Sequence, residues 1–268
     1  MNRPGVSVVV AAFNEGPVLL VALESILACL ESAQERLDFE LLVVDDGSSD
    51  TTPSLLREFS AAHEGRVRVL THETNRGLVA GMETGCRAAS METIAFLDAD
   101  LSYEPAVIEA LVLAKQASDA VVAIASPYMP GGKVENVPFD RLIASRVANW
   151  VLRRCSGGRL STFTGMVRAY DAPTLRALFT RTPVGEFNAW AVAALIEADR
   201  RIVEIPAALV WPPERHLGTP RLSWQKLYSR MGEVVVTARY LLGACRRSTM
   251  LRTGTLVLAA RPTRPYFS

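Results

Sequence analysis

The chain reads as an α/β protein with a mostly parallel sheet covered by helices on both faces. Two regularities of its first half predict this. Short β-branched runs alternate with stretches of helical spacing, and a polar, turn-rich motif follows each run. With 268 residues, 49% of them hydrophobic, the chain can bury such a sheet within one domain.

The apolar runs lie at 6–10, 39–44, 67–70, 93–97 and 120–124, and the helical spacing at 17–33, 52–62, 78–89 and 105–115. Strands separated by helices pair in parallel, and ligands of such sheets bind beyond the carboxyl ends of the strands, where loops and helix amino termini converge. The polar motifs fall there. AFNEG follows the first run, DDGSSD the second, THETNRG the third and DADLSYEP the fourth. In the second half, SPYMPGGKVENVP reads as a loop, 139–155 as an amphipathic helix, 156–159 as a Gly-rich turn, 188–199 as a helix and 201–210 as a strand. This half is expected to form a platform for an acceptor. The expected organisation is a domain over 1–225, with a nucleotide-binding half at 1–125 and an acceptor half at 126–225, then a helical basic tail at 226–268.

Basic and acidic residues nearly cancel, 29 against 28, so bulk charge gives no reason to propose a nucleic acid partner. Charge is uneven locally. No acidic residue follows Glu233, while Arg239, Arg246, Arg247, Arg252, Arg261 and Arg264 stand among apolar runs, a pattern suited to an anionic lipid surface. Those runs fall short of the roughly 20 residues needed to span a bilayer, and the amino-terminal run is too short for a signal peptide core. Cys29, Cys86, Cys155 and Cys245 form no CxxC pair, so neither a zinc site nor a disulfide framework is expected, in keeping with a reducing cytoplasm. His63, His72 and His216 are scattered, and only His216 lies in a proposed site loop.

Asp98 and Asp100 stand two apart just past an apolar strand, so a turn can aim both carboxylates at one point. Hard oxygen ligands suit Mg2+ or Mn2+, bridging to phosphates; a solvated turn with helix-capping acids is the plainer alternative. Asp45 and Asp46 end another strand, where a carboxylate can accept from a ribose or a base, while Ser49 or Asp50 caps the next helix. Arg76 and Gly77 open the helix at Leu78, an arrangement that favours phosphate or forms a simple turn.

Taken together, VSVVVAAFNEG, LLVVDDGSSDTT, NRGLVAGMETG, AFLDADLSYEP, SPYMPGGKVENVP, RLIASRVAN, STFTGMVRAYDAPTL and RHLGTPRLS run in one order over about residues 5–225. In that order they resemble the inverting glycosyltransferases of family 2, and within them the polyprenyl-phosphate (dolichol-phosphate) mannosyltransferases. The resemblance implies a GT-A fold, a Rossmann-like mostly parallel sheet flanked by helices with a carboxyl-terminal acceptor-binding region. It implies transfer of a hexose from a nucleoside diphosphate sugar, with GDP-mannose the expected donor, to a polyprenyl phosphate at the cytoplasmic membrane face. Asp98 and Asp100 match the metal-binding D-x-D, with Ala99 between them. Glu15 and Asp45 match positions that contact the nucleoside, in a donor-binding set completed by Ala11, Phe13, Asp46, Arg76 and Gly77. Arg141 and Arg146, in an R-x-x-x-S-R-x-x-N pattern completed by Ser145 and Asn149, match basic residues near the acceptor phosphate. Arg215 matches an arginine that contacts the donor diphosphate, with Gly218 closing its loop, and Thr164, Gly165 and Arg168 match a stretch beside the active centre. Asp100, Arg141, Arg146 and Arg215 form the expected catalytic set.

The chain departs from the family pattern at Ala11 and Ala12, where proline and threonine are usual, at Pro127 in place of an arginine, and at 187–190, which reads FNAW rather than F-Q-x-E. These changes bear on donor and acceptor choice. They open an alternative in which a UDP-sugar is transferred to a hydroxyl acceptor with Glu186 as base. Other classes fit less well. A haloacid-dehalogenase-type phosphatase carries its D-x-D after the first strand rather than after several, a nucleotidyltransferase would need a G-x-G-T-R loop, and a non-catalytic relative would lack the metal-site acids.

Overall fold

The computed structural model describes residues 3–181, 187–212, 232, 234–242 and 258–259. These fall into two compact units, one of 1–113 and 166–181 and the other of 114–165 and 182–268.

The first unit opens with β1 (Gly5–Ala12), α1 (Pro17–Ser32), β2 (Asp38–Asp45), α2 (Thr52–Ala62), β3 (Val67–Thr71), α3 (Leu78–Ala88) and β4 (Thr93–Phe96). The helix α4 (Val107–Ala117) follows, and β7 (Arg168–Asp171) and α6 (Ala172–Phe179) return to this unit later in the chain. Its strands run in the order β7-β4-β1-β2-β3, all parallel except β7, which lies antiparallel to β4. Central strands covered on both faces must be apolar throughout, and Val6, Val8, Val9 and Val10 of β1 and Leu41 to Val44 of β2 are buried accordingly. α1 begins at Pro17, whose missing amide costs nothing in a first turn, and buries Leu19, Leu23, Ile26, Leu27 and Leu30 at three- and four-residue spacing.

Ser7 and Glu40 form a buried polar pair in this sheet, and Glu40 is fully supplied with donors. Glu40 Oε1 accepts from the Ser7 hydroxyl at 2.6 Å and from the Ser90 amide at 2.6 Å, and Arg68 reaches Oε2 at 3.2 Å. Burial alone would raise the Glu40 carboxyl, but these donors outweigh it and hold it below the usual range.

α3 lies close on β1 because it presents glycine there. A Cβ at Gly81 would come 3.1 Å from Ala11 Cβ, and one at Gly85 would come 2.3 Å from Val9 Cγ1. These two residues set how near the amino terminus of α3 sits to the end of β1.

The second unit contains β5 (Val122–Ser126), β6 (Lys133–Glu135), α5 (Phe139–Cys155), α7 (Phe187–Glu197), β8 (Ile202–Pro206), β9 (Ala208–Val210) and β10 (Leu258–Ala259). β10, β8 and β5 pair in parallel in that order, and β6 pairs in parallel with β9. The strand expected over 201–210 is therefore two strands in two sheets. Pro206 ends the first, since it has no amide to carry the ladder on. The stretch read as a loop contains β6, which begins after Gly132; a Cβ at Gly132 would lie 2.5 Å from the Ser126 carbonyl oxygen. The short helix α6 was not expected, though Asp171 caps it by accepting from the Thr174 amide at 3.2 Å. None of the described helices is long and apolar enough to cross a membrane.

The close seat of α3 gives a test. Replacing Gly85 by alanine gains about 1 kcal/mol of helix propensity, but overpacking a stiff, buried valine costs about 1–3 kcal/mol. Urea unfolding of Gly85→Ala should show net destabilisation, and the cost of Gly85→Ala should be smaller in a Val9→Ala background than in the wild type. A Gly85→Ala protein as stable as wild type would show that the contact is not tight.

Candidate active site

Backbone pairing carries the strand ends of the first unit into register. Ala12 lies opposite Asp45, and Asp45 opposite Thr71. The ladder continues one residue further, with the Asp46 amide donating to the Ala12 carbonyl at 2.9 Å and the His72 amide to the Asp45 carbonyl at 2.9 Å. On the other side of β1, the Leu97 amide donates to the Val9 carbonyl at 3.2 Å, so Asp98 stands at the same edge. The expected donor residues Ala11, Phe13, Glu15, Asp45, Asp46, Asp98, Ala99 and Asp100 thus share the carboxyl end of one sheet.

The loops at this edge are stitched together. The Asn14 amide donates to Ser48 Oγ at 2.9 Å, the Ser49 amide to Asn14 Oδ1 at 2.8 Å, and the Gly16 amide to Thr52 Oγ1 at 2.9 Å. Asn14 adopts φ 54, a left-handed conformation that asparagine tolerates. Gly47, at φ 76, sits where a Cβ would meet the Thr74 carbonyl carbon at 2.4 Å, so the second and third loops touch through their backbones. Asp50 Oδ1 accepts from the Thr52 amide at 2.9 Å, although Asp50 stands one residue ahead of the N-cap, Thr51, whose side chain makes no capping bond.

The two adjacent aspartates do different work. Asp46, almost wholly buried, accepts from His72 Nδ1 at 2.7 Å, from the Arg76 amide at 2.9 Å and from the Gly77 amide at 2.7 Å. Because an ionised carboxylate only accepts, His72 Nδ1 is the donor, and Nε2 meets Thr84 Oγ1 at 2.8 Å. Burial pushes the Asp46 carboxyl up, but the Arg76, His72 and Gly77 donors prevail and hold it below the usual range. Asp46 therefore occupies the Arg76 and Gly77 amides just ahead of α3 and leaves the Arg76 side chain exposed. Asp45, fully buried, accepts from the Ser48 amide through Oδ1 at 3.0 Å, whereas its Oδ2 is buried with no hydrogen-bond partner. An orphaned buried carboxylate oxygen fits a ligand donor such as a ribose hydroxyl or a base N–H.

Asp98 and Asp100 are half-buried and flank the buried Ala99. Asp100 Oδ1 accepts from the Ser102 amide at 3.0 Å, and Leu101 turns the chain at φ 54. Among the described residues no three His, Cys, Asp or Glu side chains gather to hold a metal by themselves. Two hard carboxylates at a sheet edge still fit Mg2+ or Mn2+, because such ions complete their shells with water and substrate phosphate oxygens. Phe13 is exposed at the same edge. Burial raises the Cys86 thiol to about 11, which removes it as a nucleophile at neutral pH.

In the second unit, Asn149 organises the expected acceptor residues. Its Nδ2 donates to the Ser145 carbonyl at 2.9 Å and to Thr164 Oγ1 at 3.0 Å, and its Oδ1 accepts from the Phe163 amide at 2.6 Å. Tyr128 donates to Ser145 Oγ at 2.8 Å. Buried Glu204 takes the Ser161 and Thr162 amides, both at 2.8 Å, although burial raises its carboxyl above the usual range. Gly165 lies next to this turn, its Cβ position 3.3 Å from Thr162 Cγ2. Arg141 is stacked over Trp211, its guanidinium carbon 5.2 Å from the ring centroid. Five residues on, Arg146 points about 140° away around the helix and is exposed, so α5 does not present the two arginines on one face. Arg168 lies in β7 of the first unit, fully buried, and donates to the Tyr170 hydroxyl at 3.0 Å. Glu186, Arg215, His216 and Gly218 lie outside the described residues.

The family described as Glycosyl transferase family 2 matches residues 7–179, a stretch that contains every strand-end motif above. The chain belongs to this family. It is 37% identical over 149 residues to the dolichol-phosphate mannosyltransferase of Pyrococcus furiosus, a match over 55% of this chain and 40% of that protein. It is 31% identical to the polyprenol monophosphomannose synthase of Mycolicibacterium smegmatis, over 72% of this chain and 74% of that one. To the undecaprenyl-phosphate 4-deoxy-4-formamido-L-arabinose transferase of Edwardsiella ictaluri it is 29% identical, over 86% of this chain and 66% of that protein. Among solved structures, S. aureus TarS in complex with UDP-GlcNAc superposes with TM-score 0.59 at 17% identity, over 92% of this chain and 73% of that one. The Pyrobaculum calidifontis mannosyltransferase PcManGT, in complex with GDP-Man and Mn2+, gives 0.52 at 16%, over 94% and 77%. At these identities the likeness concerns the fold, which is GT-A, as the resemblance implied.

The Asp46 bonds give a pH test. A carboxyl held low contributes stability that is fully present above the unfolded value, near 3.8, and is lost as pH falls through the lower folded value. Thermal melts from pH 6 to pH 2 should therefore show a steeper acid loss for wild type than for Asp46→Asn, which should already be less stable at pH 6 by about 2 kcal/mol. Parallel curves would show that Asp46 does not hold its loop as an ion.

Proposed function

We propose that the chain transfers a hexose from a nucleoside diphosphate sugar, with GDP-mannose as donor, to a polyprenyl phosphate, with inversion at the anomeric carbon. The observation that carries the donor half is the meeting, at one sheet edge, of the Asp98–Asp100 pair with the orphaned Asp45 oxygen. The acceptor class is supported by the relatives' names, which share a polyprenyl-type phosphate while the sugar differs.

In this reading Asp45 Oδ2 accepts from the nucleoside, Phe13 and Glu15 line its site, and Arg76 meets the diphosphate. Asp46 and His72 act one step back by holding the loop that carries Arg76. Asp98 and Asp100 would hold a divalent ion, Mg2+ or Mn2+, which neutralises charge developing on the departing nucleoside diphosphate. Arg215, assigned by resemblance, adds to that neutralisation. On the acceptor side, Arg141, held by Trp211, positions the lipid phosphate, and Arg146, which the resemblance set beside it, lies on another face of α5 and takes no part. That phosphate is already an anion at neutral pH. Its oxygen bonds to the anomeric carbon as the bond to the diphosphate oxygen breaks, the leaving group takes the electron pair, and no proton has to move. Positioning and charge stabilisation then supply most of the rate. The acceptor being a lipid, the enzyme works at the cytoplasmic face of a membrane.

The test is transfer from GDP-mannose to a short-chain prenyl phosphate with Mn2+, followed by mass spectrometry. The expected product is a prenyl phosphate mannose, and Asp100→Ala should lower its formation by about a hundredfold or more, the scale of lost charge stabilisation. Full metal-dependent activity of Asp100→Ala contradicts the assignment of the D-x-D. Transfer only from a UDP-sugar to a hydroxyl acceptor would replace donor and acceptor and return Glu186 as base.

A further inference from the structure

The outer face of α5 is inverted relative to an ordinary surface helix. Its buried side carries Ala148, Asn149 and Leu152, while Phe139 is 77% and Trp150 64% exposed, with Ile143 and Val147 also open to solvent. These four recur at spacings of four, four and three residues and so form one stripe along the helix. Arg146, Arg153 and Arg154 are exposed and lie three or four residues from Trp150, on the same side. Across α5 there are four arginines and one acidic residue, Asp140.

We propose that this face is a docking surface for an anionic lipid bilayer. The proposal rests on the lipid-acceptor reading above and adds to it the surface by which the chain reaches the lipid. A helix with exposed aromatic and aliphatic side chains interleaved with arginines lies in the plane of a bilayer interface, apolar side chains among the acyl chains and guanidinium groups at the phosphates. Charge selects this occupant. A second copy would bring the same surplus of arginines over acid, whereas acidic headgroups neutralise it.

The test uses the full chain, vesicles of phosphatidylcholine with and without phosphatidylglycerol, and no donor sugar. The chain should co-sediment with the mixed vesicles, less with phosphatidylcholine alone and less in high salt. In Phe139→Ser/Trp150→Ser, vesicle affinity should fall by about tenfold or more, since two apolar anchors are lost. The two side chains are exposed, so the variant should keep the wild-type circular dichroism and melting temperature. Binding that survives the double substitution, or no binding by the wild type, overturns the proposal, as does self-association that the variant abolishes in a chain that ignores vesicles. The outcome is separable from the proposed reaction. Vesicle binding through α5 without any transfer to a prenyl phosphate sinks the reaction alone, and transfer to a water-soluble short-chain acceptor without vesicle binding sinks the docking surface alone.

Discussion

The carboxylate of Asp46 is the constraint on which the donor edge depends. It directly follows β2, yet its partners are His72, directly after β3, and the Arg76 and Gly77 amides just ahead of α3. Without those bonds, two backbone donors and an imidazole would stand unpaired beside the sheet, a cost of the order of 1–3 kcal/mol for each buried group left without a partner. Gly47 permits the approach from one side and the Gly81–Gly85 seat of α3 from the other. An edge held in this way leaves the exposed side chains of Phe13 and Arg76 without a part in holding the loops together.

A comparable division of labour holds in the second unit. Asn149 spends its amide on α5 and on the turn at 163–164, and Glu204 anchors the residues just before that turn. The arginines of α5 are then left to the surface or to Trp211. For a reaction whose nucleophile is already charged, fixed cations and a bound metal supply what is needed, and a general base does not. The same helix can turn Arg141 to Trp211 and leave an apolar stripe exposed because its buried side is satisfied by Asn149 rather than by apolar packing alone.

Much of this was legible in the sequence, for physical reasons. α2 and α5 lie where the helical spacing placed them, at 52–62 and 139–155, because buried positions recur at the helical period and proline marks the start of both. Carboxylates one to three residues past apolar runs could be read as facing an edge, and Asp45, Asp98 and Asp100 do stand at that edge. What distinguishes Asp45 from Asp46 was not legible. Neighbouring residues at a strand end point to opposite sides, and which side holds a ligand and which a loop depends on pairings 30 residues away. His72 was passed over as one of three scattered histidines, although its place directly after β3 was a usable signal. Trp211 gave no signal, since its contact with Arg141 arises from folding. The split of 201–210 at Pro206 could have been read from the proline. β6 could not, because three residues pair only when their partner strand is known.

Ligand-dependent thermal stability tests most directly whether this edge binds a nucleoside diphosphate through a divalent metal. With GDP at about a hundred times its dissociation constant and Mn2+ present, the melting temperature should rise by about 5 °C or more, and the rise should collapse when Mn2+ is chelated. No shift with GDP, UDP or their sugars, with or without metal, would contradict such binding.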